Sequence, residues 1–115
     1  MLRIFSSFKN AFLGIKLALK EEQSFRIQLV IAFLVVVLMF IFPLSLVERL
    51  ILVVLCGFVL GLELLNSQLE RVLDLIQPKY DSRVKAIKDL SAGAVLIASL
   101  TAFLIGLFII LFHLL

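Results

Sequence analysis

Four residues of this sequence can act together chemically: Glu63, Asn66, Glu70 and Asp74. Their spacings of three, four and four put them on one narrow helical face, at about 100° per residue. At about 1.5 Å rise per residue the stripe is roughly 16 Å long. Leu64, Leu65, Leu69, Val72 and Leu73 fill much of the other side. Carboxylates beside hydrocarbon are costly, and those that persist are usually paired, metal-bound or functional. Salt bridging to Arg71, Lys85 or Lys88 for assembly is the structural alternative; a functional stripe is the favoured reading.

Two smaller groups accompany it. Lys88 and Asp89 precede Ser91, Ala92, Gly93 and Ala94, small residues that let another helix come close. A lysine there suits phosphate oxygens as a compact charge, although a topological anchor with a neutralising acid explains the pair by itself. Glu22 and Arg26, four apart around Phe25, have the spacing of an ordinary helical ion pair; the functional alternative is that Glu22 is a metal ligand converging on the stripe. The sequence has no GxxxxGK[ST] phosphate loop and no Gly-rich dinucleotide fingerprint. The only histidine, His113, is at the far end of the chain, so a histidine base beside the stripe is excluded. Carboxylates, an amide and lysines at a lipid boundary suit a metal-bound polyphosphate with a carboxylate as general base, because magnesium takes a few carboxylates plus substrate phosphates and phosphoryl transfer needs mainly positioning and charge neutralisation.

The elements that must carry these residues are membrane spans. With 63% hydrophobic residues and a mean hydropathy of +1.24 over 115 residues, a water-soluble domain of this size could not hide its apolar surface. Charge-free stretches run over Ile27–Val47 (21 residues) and Leu90–Leu115 (26 residues), each long enough to cross a bilayer, which takes about 20. A third, Leu50–Leu62, has 13 and spans only if its helix continues through Glu63 and Asn66. Phe5, Phe8, Phe12, Ile15 and Leu19 recur at steps of three and four with Lys9, Lys16 and Lys20 alongside, the pattern of a helix lying in the membrane surface. The expectation is therefore an all-α membrane protein, one domain over 1–115, with a surface helix at about 4–20 and spans at about 26–47, 49–70 and 88–112. Pro43 and Pro78 mark the two connections. Cys56 is a lone cysteine in an apolar run, which excludes an internal disulfide and reads as packing. No compact apolar core followed by small residues marks a cleavable leader.

Basic residues set the expected orientation. Arg3, Lys9, Lys16, Lys20 and Arg26 precede the first span, and Arg71, Lys79, Arg83, Lys85 and Lys88 lie between the second and third; the first connection has only Arg49. The positive-inside rule puts the N-terminus in the cytoplasm. Every acid but Glu48 then lies on the cytoplasmic half. A net charge of +3 gives no ground for a nucleic-acid partner.

At these residues the sequence resembles the prokaryotic diacylglycerol kinase family, which includes the undecaprenol kinases. The resemblance is carried by Glu63-x-x-Asn66-Ser67-x-x-Glu70-x-x-x-Asp74, by Ala86-Ile87-Lys88-Asp89-x-x-Ala92-x-Ala94-Val95, and by Glu22-Gln23-Ser24-Phe25-Arg26 before the first span. It covers nearly the whole chain, in order. It implies a bacterial inner-membrane homotrimer with sites shared between protomers, using ATP, Mg2+ and a lipid alcohol. By resemblance Glu63 is the general base on the lipid hydroxyl, Asn66 positions the base or the lipid, and Glu22 and Glu70 hold magnesium. Lys88 meets the ATP phosphates, Asp89 the nucleoside side, and Asp74 orders the polar network; Ala92 is a lipid contact. Arg3, Asn10, Lys79, Tyr80 and Asp81 match positions near the nucleotide. Gln68 stands where alanine is common, Gln28 where some members carry an acid, and the chain has no tryptophan, which many diacylglycerol-specific members have. Asp89-Leu90-Ser91-Ala92-Gly93-Ala94-Val95 looks more like the undecaprenol kinase branch, so undecaprenol is the expected acceptor and diacylglycerol the alternative.

A non-enzymatic transporter or channel subunit is the competing reading. An ion path needs polar residues through the bilayer; here the first and third spans are apolar almost throughout, and the second is polar only at its cytoplasmic end.

Overall fold

Lipid offers backbone amides no hydrogen-bond partners, so a chain this apolar must satisfy them internally, and helices do so within one segment. The computed structural model describes residues 1–115 as four helices and no strand: α1 (Leu2–Glu21), α2 (Gln23–Ile41), α3 (Leu46–Ile76) and α4 (Ser82–Leu114). The last three are long and apolar enough to cross a membrane. Only ten residues are buried, and the large apolar side chains of all three are mostly exposed. The molecule measures 52 × 42 × 21 Å, so its thinnest dimension is about two helix diameters. Its apolar surface is left for lipid, not buried in a core. α3 packs against both α4 and α2, and α1 lies against α2.

The connections explain where the helices stop. Glu22, with extended backbone (φ −109°, ψ 104°), is the single residue between α1 and α2. Arg26 turns back and donates from Nη1 to the carbonyl oxygens of Leu19 and Lys20 at 2.9 and 3.0 Å, satisfying acceptors that a helix end leaves free. The ion pair expected between Glu22 and Arg26 is therefore not formed: the free carbonyls of α1 claim the guanidinium, and Glu22 faces α3. Along α1, Phe5, Phe8 and Phe12 stay exposed, as a face resting on lipid requires.

The turn at Pro43 is tighter than the sequence suggested. Helix resumes at Leu46, so Glu48 and Arg49 belong to α3. Ser45 Oγ accepts from the Glu48 amide at 3.2 Å while Glu48 Oε1 accepts from the Ser45 amide at 2.9 Å, a reciprocal cap. Leu44 is buried with Met39 and Leu52, and His113 Nε2 lies 3.0 and 3.1 Å from the two Glu48 oxygens. This end ties the last turn of α4 to the first of α3. Ser45→Ala is expected to cost about 1 kcal/mol, as for other helix caps, seen as a lower melting temperature in detergent with unchanged helix content.

At the other end α3 runs on to Ile76 and α4 starts at Ser82, both beyond the expected span limits of 70 and 88. α3 has 31 residues, roughly 46 Å, against a hydrocarbon layer of about 30 Å. Its last turns stand clear of the lipid, where polar side chains cost little. The Asp81 carboxylate caps α4 by accepting from the Arg83 amide at 2.8 Å. The Arg83 guanidinium, with Nη2 2.9 Å from Oδ2, holds that carboxyl well below the usual carboxylate range.

Candidate active site

Glu63 is 18 residues beyond the Ser45 cap, roughly 27 Å along the axis, which puts it at the edge of the hydrocarbon layer. It is the most buried ionisable side chain, 4% exposed, and Ser67 one turn further on is the other buried polar residue. The Ser24 hydroxyl lies against the Glu63 carboxyl, and Glu70 and Glu22 are close enough for their charges to reach it. A recess opens beside Glu63 between α2 and α4, lined also by Ser24, Ile27, Ala92 and Val95. A side chain able to take a proton thus faces a passage whose walls are otherwise mostly apolar or small.

One turn on, Asn66 is half-buried, and its Oδ1 is buried without a hydrogen-bond partner. A buried acceptor left unmatched costs free energy until something donates to it or coordinates it. Glu70 is half-buried on the same face. Glu22 receives two bonds from Arg71, from Nε at 3.1 Å and Nη2 at 2.8 Å, and the same Nη2 donates to Glu21 at 2.8 Å. The sequence offers Arg71 as a partner for the acidic stripe; it spans instead from α3 to the α1–α2 junction and holds Glu22 towards α3. Asp74 lies at the exposed end of the stripe, with Lys88 Nζ 2.6 Å from its Oδ1. Asp89 pairs with Lys85 at 2.7 Å.

The stripe is therefore divided. Glu63, Asn66, Glu70 and Glu22 face one region with Ala92 across the recess, and Asp74 with Lys88 forms a bridge between α3 and α4 further out. Lys79 and Tyr80 are exposed in the α3–α4 connection, and Arg3 and Asn10 are exposed on α1 with no side-chain bond to another element. None of these four makes a side-chain bond to the acids. Sequence reasoning passed over Ser24, Gln28 and Ser99 as functional side chains. Their signal was present: Gln28 and Ser99 interrupt charge-free stretches, where a polar side chain has a reason to be.

No three of the His, Cys, Asp and Glu side chains are grouped closely enough to hold a metal by themselves. The donor set still fits a hard cation that arrives with its own phosphate ligands. It consists of carboxylate and amide oxygens, one of them unpartnered, and magnesium is typically held by one or two carboxylates plus phosphate oxygens. Arg71 competes with such a cation for Glu22. Arg71→Ala is expected to tighten binding of Mn2+, as a spectroscopic probe, to the nucleotide-free protein by about two- to fivefold, the scale of one exposed ion pair; unchanged or weaker binding would show that Arg71 does not mask a metal ligand.

Three spans with every acid but Glu48 gathered at one end, beside an opening between helices, fit a membrane-embedded enzyme. Comparison with known proteins agrees. A profile of prokaryotic diacylglycerol kinases matches residues 9–110. The chain is 38% identical over 109 residues to the undecaprenol kinase of Bacillus subtilis, covering 95% of this chain and 89% of that one. It is 34% identical over 101 residues to a diacylglycerol kinase of Synechocystis sp., covering 87% of this chain and 58% of that longer protein. The chain belongs to the prokaryotic diacylglycerol kinase family, and it is a lipid kinase that draws its phosphoryl group from a nucleotide.

Proposed function

We propose that this protein transfers the γ-phosphoryl group of MgATP to the terminal hydroxyl of undecaprenol in the bacterial inner membrane. The observation that carries the reading is Glu63: a buried carboxylate at the hydrocarbon edge, reached from the lipid side through a recess and from the aqueous side past Glu70 and Glu22. The lipid oxygen attacks the γ-phosphorus, Glu63 takes its proton, the bond to the bridging β–γ oxygen breaks, and ADP leaves. Glu22 and Glu70 would hold the magnesium, which would supply neutralisation of the phosphate charge. Asn66 positions the base by donating from Nδ2, or the lipid by accepting from its hydroxyl at the unpartnered Oδ1. Lys88 exchanges Asp74 for ATP phosphates, Asp74 orders the polar network, and Asp89 meets the nucleoside side. Ala92 leaves room for the lipid beside Glu63. Arg3 and Asn10 on α1, with Lys79, Tyr80 and Asp81 in the connection, close over the nucleotide.

Two further elements belong to this reading. The N-terminus is cytoplasmic, supported by the basic residues gathered at the Glu70 end of the spans. The working unit is a homotrimer with sites between protomers, supported by the small number of buried residues in one chain and by the exposure of the four nucleotide-side residues, none of which bonds to the acids within one chain. Undecaprenol is supported over diacylglycerol by the relative in Bacillus subtilis and by the Asp89–Val95 run. The test is a kinase assay of the purified protein with labelled ATP, undecaprenol and diacylglycerol being offered side by side. Preferential labelling of undecaprenol is expected. Preferential labelling of diacylglycerol overturns the acceptor, and labelling of neither overturns both.

A further inference from the structure

Arg71 carries the largest polar link between helices in the molecule. From α3, Nε and Nη2 both donate to Oε1 of Glu22, at 3.1 and 2.8 Å, and Nη2 also donates to Glu21 at 2.8 Å. A guanidinium has five N–H donors; these bonds use three, and the two on Nη1 have no partner in the protein. Oε2 of Glu22 accepts nothing from Arg71, so one oxygen of that carboxylate stays open. The Arg71 side chain is 43% exposed, so a ligand arriving from water can reach it. A fixed positive charge is thus bonded to one of the two acids assigned to magnesium and directly follows the other, Glu70, in the chain. The catalytic reading gives it no part.

Two effects follow from that position, with opposite signs. Beside a bare cation Arg71 is unfavourable, because like charges repel. Beside a cation that carries phosphate it is favourable, because a guanidinium meets phosphate oxygens with charge-assisted bonds, often in parallel pairs. The reach is right. Ligands of magnesium sit at about 2.1 Å in octahedral geometry, which puts neighbouring ligand oxygens roughly 3 Å apart. A phosphate oxygen sharing a cation with Glu22 thus lies about one hydrogen-bond length from that carboxylate, and the guanidinium is already at that distance from it. Glu21 holds Nη2 independently of Glu22, so the guanidinium keeps an anchor on the α1–α2 junction when Glu22 turns to a cation.

We infer that Arg71 is a further nucleotide-binding residue of the kinase: it donates from Nη1 to a phosphate oxygen of the bound nucleotide beside Glu22, and Glu21 is the positioning residue that keeps the guanidinium there. The inference rests on the metal assignment of Glu22 and deepens it.

Binding measurements distinguish this role from a mask or a strut without any turnover. In nucleotide-free protein Arg71→Ala is expected to tighten Mn2+ binding; with nucleotide the effect reverses. Calorimetric titration of the purified full-length protein with MgAMP-PNP should show about fivefold weaker binding in Arg71→Ala, because a lost charge-assisted bond outweighs the relieved repulsion. MgAMP-PNP binding that is unchanged or tighter in that variant overturns the role of Arg71. Glu21→Gln leaves Arg71 and Glu22 in place and removes one negative charge, which by itself favours an anionic ligand. Weaker MgAMP-PNP binding, by about twofold, is nevertheless expected, since the guanidinium loses its anchor; unchanged or tighter binding overturns the part given to Glu21. A parent protein that binds no MgAMP-PNP contradicts the nucleotide reading as a whole, whereas binding by the parent that Arg71→Ala leaves intact removes only this residue from it.

Discussion

Glu63→Gln is expected to lower kcat by about 10²–10⁴-fold, the usual contribution of a positioned general base, with little change in the KM for ATP. The amide keeps the size and the hydrogen-bonding capacity of the carboxyl, so the contact with Ser24 can persist and the recess keeps its shape. What is lost is the ability to accept the lipid proton as the oxygen attacks phosphorus. Because an unpaired buried carboxylate costs folding free energy, the variant should be no less stable than the parent protein. Helix content by circular dichroism and elution on size exclusion should be unchanged. A kcat within about threefold of the parent would remove Glu63 from the proton transfer and leave the recess without a chemical purpose.

Glu70→Gln and Glu22→Gln are expected to fail differently. Each removes one negative charge from the face towards which phosphate and cation must come. Loss of one preorganised electrostatic partner of a transferring group typically costs about 10²–10³-fold in rate. Part of that loss should return at high Mg2+, because a weakened cation site refills by mass action. Titrating activity against Mg2+ separates these variants from Glu63→Gln, whose deficit should not respond. Glu22→Gln carries a second consequence, since residue 22 keeps an acceptor oxygen but loses its charge, leaving Glu21 as the only ionic partner of Arg71. The α1–α2 junction should then loosen, read as faster proteolysis near residue 22. Glu70, which makes no ion pair, should show the metal effect alone. An Mg2+ titration unchanged in both variants would contradict the metal assignment while leaving the base untouched.

These contrasts depend on the difference between sharing a helical face and sharing an environment. Spacing put Glu63, Asn66, Glu70 and Asp74 in one line, and the helix keeps them there. α4 and the α1–α2 junction then treat them differently. Glu63 is covered, Asn66 and Glu70 are half-covered, and Asp74 is drawn outward by Lys88. Arg26 shows the same limit. Its position four residues after Glu22 favoured a local ion pair, but the carbonyls of Leu19 and Lys20 at the end of α1 bind it more directly. Arg71 shows the converse, crossing 49 and 50 residues of sequence to reach Glu22 and Glu21.

The sequence by itself determined that this is a helical membrane protein with three spans and a surface helix, and that all its acids but Glu48 gather at one end of the spans. The physical reason is that lipid leaves the backbone few choices, while hydropathy and helical periodicity are local properties that can be read residue by residue. The family motifs then identified a lipid kinase. Only the tertiary structure decided which carboxylate is buried, which cation each acid faces, and that Gln28 and Ser99 meet across α2 and α4. Those outcomes depend on long, flexible side chains choosing among partners on other helices, and pattern along one helix does not record that choice. The acidic stripe was legible in the sequence; its division into a buried carboxylate, the proposed base, and an exposed bridge was not.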